Sequence, residues 1–190
     1  MSGPGIEPLT HMTLGQVMDR SAKLYGDREA LVVSHQSVRK SFGQLAEDVD
    51  RLAAGFLGLG LKPGDRIGIW GPNVYEWYLT MWAAGKAGLI LVNINPAYQP
   101  SELKYCLNKV NVKALLSSKS HKGADYYAML SKVVPEVKDS VPGQINSQTV
   151  PDLKSVILIS EEQHGSVTFM QPCIGVTCDR LINNLSLIHI

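Results

Sequence analysis

Two stretches decide the fold: Arg66-Ile67-Gly68-Ile69-Trp70-Gly71-Pro72-Asn73, and then Leu89-Ile90-Leu91-Val92-Asn93-Ile94-Asn95-Pro96. The first is a short apolar run that breaks at a Gly-Pro turn, and the second is an apolar run of strand length. Between them lie Tyr75, Trp77, Tyr78, Leu79, Met81 and Trp82, so the intervening helix is apolar nearly all round and must be buried on several sides. Strand, helix and strand in this order predict a parallel βαβ unit. Apolar residues on both faces make 89–94 a central strand of the sheet. Asn73 is read as the cap of the helix, with Glu76 at the capping-box position.

The same alternation continues downstream. Ser101 starts a short helix through Leu103, Leu107 and Lys109, and residues 112–117 form a third strand. A helix over 124–134 is stopped by Pro135, residues 139–151 are a polar loop, and 155–159 is a fourth strand. Upstream, Thr13 and Gln16 make a capping box for a helix carrying Leu14, Val17, Ser21 and Leu24 on one face, with Gly26 at its end. Two short strands, 29–33 and 38–42, flank the turn His35-Gln36-Ser37. Ser41 and Gln44 form a second capping box, and the helix that follows buries Leu45, Val49, Leu52 and Phe56. Its Glu47, Asp48, Asp50 and Arg51 fall mostly off that face, and Lys62-Pro63-Gly64-Asp65 is a turn. The class is α/β, a parallel sheet with helical crossovers.

Bulk properties narrow the function. The chain has 190 residues, the size of one domain or part of one, and 45% apolar residues, enough for a core. A net charge of +1 with interspersed signs provides no field for nucleic acid or an anionic membrane. Three cysteines, an odd count in a chain without a secretory signal, argue for a reducing compartment, and the spacing of Cys173 and Cys178 does not suit zinc. The apolar stretch 79–94 is interrupted by Lys86 and two glycines, so no membrane span is expected.

Candidate chemistry is sparse. Gly55-Phe56-Leu57-Gly58-Leu59-Gly60 follows a helix rather than a strand and reads as a helix end, not a phosphate loop. Gly85-Lys86 lacks the leading glycine and the hydroxyl residue of a nucleotide-binding loop. Trp70-Gly71-Pro72-Asn73, at a strand end opening a helix, is the better-placed turn for a ligand. His11, His35, His121 and His164 have no nucleophile signature nearby and read as surface residues. Glu47-Asp48 and Glu161-Glu162 read as solvated pairs.

Several segments together resemble the adenylate-forming acyl-CoA synthetases. They are Asp27-Arg28-Glu29-Ala30-Leu31-Val32-Val33, Ser41-Phe42-Gly43-Gln44-Leu45, the run from Gly58 to Asn73, and the run from Ala87 to Tyr98 with Glu102-Leu103-Lys104-Tyr105 after it. The resemblance covers roughly Thr13 to Ile159. It implies the N-terminal part of a large α/β domain, in an enzyme that activates a fatty acid with ATP and Mg²⁺ and passes the acyl group to CoA, in mitochondria. Chemically, adenylation gives the carboxylate a good leaving group, while magnesium and a lysine offset charge on the phosphates. The family's Ser/Thr/Gly-rich phosphate loop, its adenine and ribose motifs and its catalytic lysine do not occur in these residues. No catalytic, cofactor-binding or metal-ligating residue carries over, and the chain alone is expected to be inactive.

The expected organisation is a lead-in over 1–12, a partial synthetase/ligase domain over 13–160, a divergent tail over 161–184 and foreign sequence over 185–190. The last six residues, Leu185-Ser186-Leu187-Ile188-His189-Ile190, are one frame of CTGTCTCTTATACACATC, a transposon end used in library preparation. The rival for them is an apolar terminal strand. Rivals for the whole are a freestanding nucleotide-binding module and a non-catalytic interaction protein. A partial domain also predicts apolar strand and helix faces left bare, several hundred Å² of them, and hence self-association.

Overall fold

The computed structural model describes residues 10–141, 143–159 and 168–170. The expectations for 1–9, for most of 161–184 and for 185–190 lie outside the described residues. Helix α1 (Leu14–Tyr25) carries the Thr13–Gln16 capping box, and α2 (Phe42–Gly58) carries that of Ser41 and Gln44. Between them β1 (Glu29–Val33) and β2 (Val38–Ser41) make an antiparallel hairpin around a 3₁₀ turn, Ser34–Gln36. Gly64 holds φ +87° in the turn that leads into β3 (Arg66–Trp70).

Then follow α3 (Tyr75–Lys86), β4 (Ile90–Ile94), α4 (Pro100–Lys109) and β5 (Val112–Ser118). A two-residue hairpin, β6 (Ser120–His121) and β7 (Ala124–Asp125), precedes α5 (Tyr126–Val133), a 3₁₀ turn at Pro135–Lys138, β8 (Ser155–Ile159) and β9 (Thr168–Met170). The hairpin and β9 have no counterpart in the sequence reading: the first is too short for periodicity, and the second falls where the pattern decays.

Among the described residues five strands pair in parallel, in the order β4-β3-β5-β8-β9. The strand period divides the core in two. Ile67, Ile69, Ala114, Leu116 and Ile157 point to one face and pack with Met18, Leu45, Val49, Leu52, Phe56 and Leu79 of the first three helices. Trp70, Leu115, Val156 and Leu158 point to the other and pack with Leu103, Leu107, Tyr126 and Leu130 of α4 and α5. Each buried side chain of this size contributes about 1.5–3 kcal/mol, and β3, β5 and β8, covered on both faces, hold the middle of the sheet.

Three expectations need correction. Among the described residues strand β4 is at the edge, not the centre, and its Ile90 is 53% exposed, because the chain turns back past β3 to place β5 on the other side. The faces of β3 are covered by the chain's own helices, with Ile67, Ile69 and Trp70 at 1% exposure or less, so the large bare surface expected there is absent. Helix α1 buries Gly15 and Met18, while Leu14 and Leu24 are exposed. Its contact stripe is set by the approach of Gly15 to Lys86, whose Cα a Cβ at that glycine would meet at 3.3 Å. The Lys86 ammonium then bridges Asp19 of α1 and Asp50 of α2.

The start of α3 also differs. Its N-cap is Val74, which supplies no side-chain cap, and the Tyr75 N–H instead donates to Gln36 Oε1 of the hairpin turn at 2.6 Å. A residue 39 positions away does the work assigned to Asn73, and local pattern carries no trace of it. Asn73→Ala is accordingly expected to change stability by less than about 0.5 kcal/mol, whereas Gln36→Ala costs about 1 kcal/mol. Urea midpoints of the two variants check this; a larger loss at Asn73 than at Gln36 would restore the local cap.

Candidate functional site

The chain leaves β3 for β4 on one side and returns to β5 on the other, so the strand order reverses between β3 and β5. In open parallel sheets the crevice outside the carboxyl ends at such a reversal is where ligands bind. A cleft of about 510 Å³ lies there. It is lined by Gly71, Pro72 and Asn73 after β3, Trp77 of α3, Asn93 to Pro96 at the end of β4, and His121 and Lys122 of the β6–β7 hairpin.

Local chemistry fixes each wall. Gly71 lets the turn pack close to the end of β5: a Cβ there would lie 2.6 Å from Ser118 Oγ, which would have to rotate away. The β4 end is held from beneath: Trp70 Nε1–H donates to the Asn95 carbonyl at 3.1 Å and the Tyr126 hydroxyl to the Pro96 carbonyl at 2.7 Å. The two rings stack with centroids 4.2 Å apart at 10°. Burial pushes the Tyr126 phenol up from its ordinary value, so the hydroxyl donor persists to more alkaline pH. Asn95 Oδ1 accepts from the Ala97 N–H at 2.9 Å and so shapes the turn. The hairpin turns at Lys122 (φ +48°) and Gly123 (φ +80°), both left-handed as its two-residue loop requires.

Behind the α3 wall is a buried polar cluster that the sequence reading placed on a solvated face. Asp48 is 2% exposed. It accepts from Tyr75 OH at 2.6 Å and pairs with Lys40 at 2.6 Å and Arg51 at 2.8 Å. Glu76, fully buried, accepts from Gln36 Nε2 at 3.0 Å. Adjacent helix positions do point apart, as the reading assumed; Asp48 is buried because β2 and α3 close over its side, a tertiary fact.

The cleft's lining offers an ammonium, an imidazole, three carboxamides and an indole, and no carboxylate. That set donates hydrogen bonds and favours an anion with an apolar or aromatic part. Its lining contains no hydroxyl, thiol or carboxylate nucleophile, and burial pushes the one described thiol, Cys106 on α4, up and away from thiolate chemistry. Among the described residues no three His, Cys, Asp or Glu side chains gather as a metal site, and no helix is long and apolar enough to cross a membrane. Of the turn singled out in the sequence, Gly71, Pro72 and Asn73 thus line the site, while Trp70 is buried beneath it. His121, read as a surface residue, is half-buried in it, while His11 and His35 are exposed and away from it. Asn93, Asn95 and Lys122 had no sequence signal beyond lying at strand ends and in a Lys-Gly turn.

Comparison with known proteins places this fold. The chain is 46% identical over 159 residues to the mitochondrial medium-chain acyl-CoA ligase ACSF2 of Bos taurus, and 43% identical over 164 residues to that of Danio rerio. These matches take in 84% and 86% of the chain but 26% and 27% of the relatives, so the chain spans about a quarter of their length. Among solved structures, an anthranilate CoA ligase, AuaEII, in complex with anthranoyl-AMP superposes with a TM-score of 0.72 at 17% identity, over 94% of this chain and 29% of that one. The chain is homologous to the N-terminal region of acyl-CoA synthetases. The family described as AMP-binding enzyme matches residues 18–172, across both faces of the sheet and the cleft at its carboxyl end, and the chain belongs to that family.

Proposed function

We propose that the protein carrying this chain is an acyl-CoA ligase acting on medium-chain fatty acids in mitochondria, and that the described cleft receives the phosphate-bearing end of CoA. The observation that carries the reaction class is the 46% identity to a ligase of that name over 159 residues. The reaction joins the acid to ATP as an acyl-adenylate with loss of pyrophosphate and then moves the acyl group to the CoA thiol. ATP and Mg²⁺ do not fit the residues present, since neither a phosphate loop nor an acidic cluster occurs among those described. CoA fits better. Its phosphates match Lys122, His121 and the amides of Asn73, Asn93 and Asn95, and Trp77 offers an apolar surface for the rest. These residues bind and orient; none moves a proton. The β4 edge, unpaired among the described residues and uncharged from Ala87 to Ser101, extends the proposal to self-association of the isolated chain.

Two measurements test this. The purified chain should show no acid-dependent ATP–pyrophosphate exchange, and exchange above a protein-free control would overturn the assignment of the adenylation chemistry to other residues. In a hybrid with residues 13–159 in place of the matching segment of the bovine relative, a medium-chain acid, ATP and CoA should yield acyl-CoA. There Lys122→Ala should raise KM for CoA about tenfold, the value of one charge-assisted contact, and spare the exchange. A folded hybrid without ligase activity sinks the reaction class; an unchanged KM sinks the cleft assignment.

A further inference from the structure

The geometry points to Gln36 as a positioning residue for the cleft, acting through α3 without touching the ligand; this rests on the reading of the cleft as the CoA site. Gln36 is absent from the lining and sits in the turn of the β1–β2 hairpin, outside the parallel sheet. Its carboxamide is engaged at both ends. Oε1 accepts the Tyr75 N–H at 2.6 Å, and Nε2–H donates to Glu76 Oε2 at 3.0 Å. Tyr75 and Glu76 are both fully buried, and the Tyr75 hydroxyl is tied to Asp48 of α2 at 2.6 Å.

The first turn of α3 is therefore held at a backbone amide and a carboxylate from the hairpin, and at a phenol from α2. Asn73 lies two residues before that turn's Tyr75 and Trp77 two residues after, and both line the cleft. The other walls are fixed separately, the β4 end by Trp70 and Tyr126 and the β6–β7 hairpin by its own turn. The α3 wall is the one whose helix start has no side-chain cap of its own. An orphaned N–H at a helix start frays its first turn. Loosening Gln36 should then displace Asn73 and Trp77 together and weaken a ligand that it never contacts.

The test uses the 190-residue chain with CoA as probe, its affinity followed by titration, and hydrogen exchange followed by peptide. Gln36→Leu should speed exchange of amides 74–78 about fivefold, the worth of a cap, while amides 112–118 of β5 stay unchanged. The same variant should weaken CoA binding about fivefold. Unchanged affinity alongside faster exchange at 74–78 overturns the positioning role, as does equal acceleration in β5, which would make Gln36 a general stabiliser. Lys122→Ala is measured beside it. A loss of affinity with Lys122→Ala but not with Gln36→Leu removes this inference alone. No loss with either removes the cleft assignment, and the exchange data still decide whether Gln36 holds the turn.

Discussion

Trp70→Ala should cost about 3–5 kcal/mol, the range for deleting a fully buried large aromatic side chain. The ring is 0% exposed, stacks on Tyr126 and packs among Ile94, Leu103 and Leu115. Truncation opens a cavity between β3 and α5 and also strands the Asn95 carbonyl, which loses its indole donor. A whole domain has about 5–15 kcal/mol of net stability, so the variant should approach loss of its cooperative urea transition. Trp70→Phe separates the two parts: it keeps most of the volume and the stack and should cost about 1–2 kcal/mol through the missing N–H. Circular dichroism against urea gives both values. A Trp70→Ala loss no larger than that of Trp70→Phe would show that the indole nitrogen matters more than packing.

The second large effect is expected at Asp48. Its carboxylate has three partners, Tyr75, Lys40 and Arg51, and almost no contact with solvent. Removing one member of a buried ion cluster typically costs about 3–5 kcal/mol, because the remaining charges stay desolvated without compensation. The Lys40 and Arg51 side chains keep 23% and 29% exposure and can recover some hydration, so Asp48→Ala should fall near the lower end, about 3 kcal/mol. Double-mutant cycles with Tyr75→Phe and Lys40→Met apportion the loss. A change below about 1 kcal/mol would place the cluster among ordinary surface pairs.

What the sequence disclosed, and what it withheld, divides along one line. Features with a local cause were legible: the capping boxes of Thr13 and Ser41, the Gly64 turn, the short apolar run of β3 and the Leu45–Phe56 stripe of α2 all rest on residues within a few turns of each other. Features decided by a distant partner were not. Asp48 looked solvated until β2 and Tyr75 closed on it, Asn73 looked like a cap until Gln36 was found in its place, and β4 looked central because apolarity does not encode strand order. The site shows the same division. The turn after β3 could be found from its Gly-Pro break at a strand end, but Asn93, Asn95, His121 and Lys122 join it only through the crossover that brings three strand ends together.

The strand order has one further consequence, for the order of events as the chain is made. Strand β3 is the first of the sheet to be synthesised, yet it ends between two later strands, and β8 follows it by about 90 residues of chain. At about 5–20 residues per second, translation leaves Ile67, Ile69 and Trp70 without the full sheet for about 4–18 seconds. By then the hairpin, α2 and α3 have already emerged, so one face of β3 can be covered while the other waits for α4 and α5. A ribosome-bound chain of this protein should thus pass through a stage that is dry on one side of its central strand and sticky on the other, a natural moment for a chaperone to hold it.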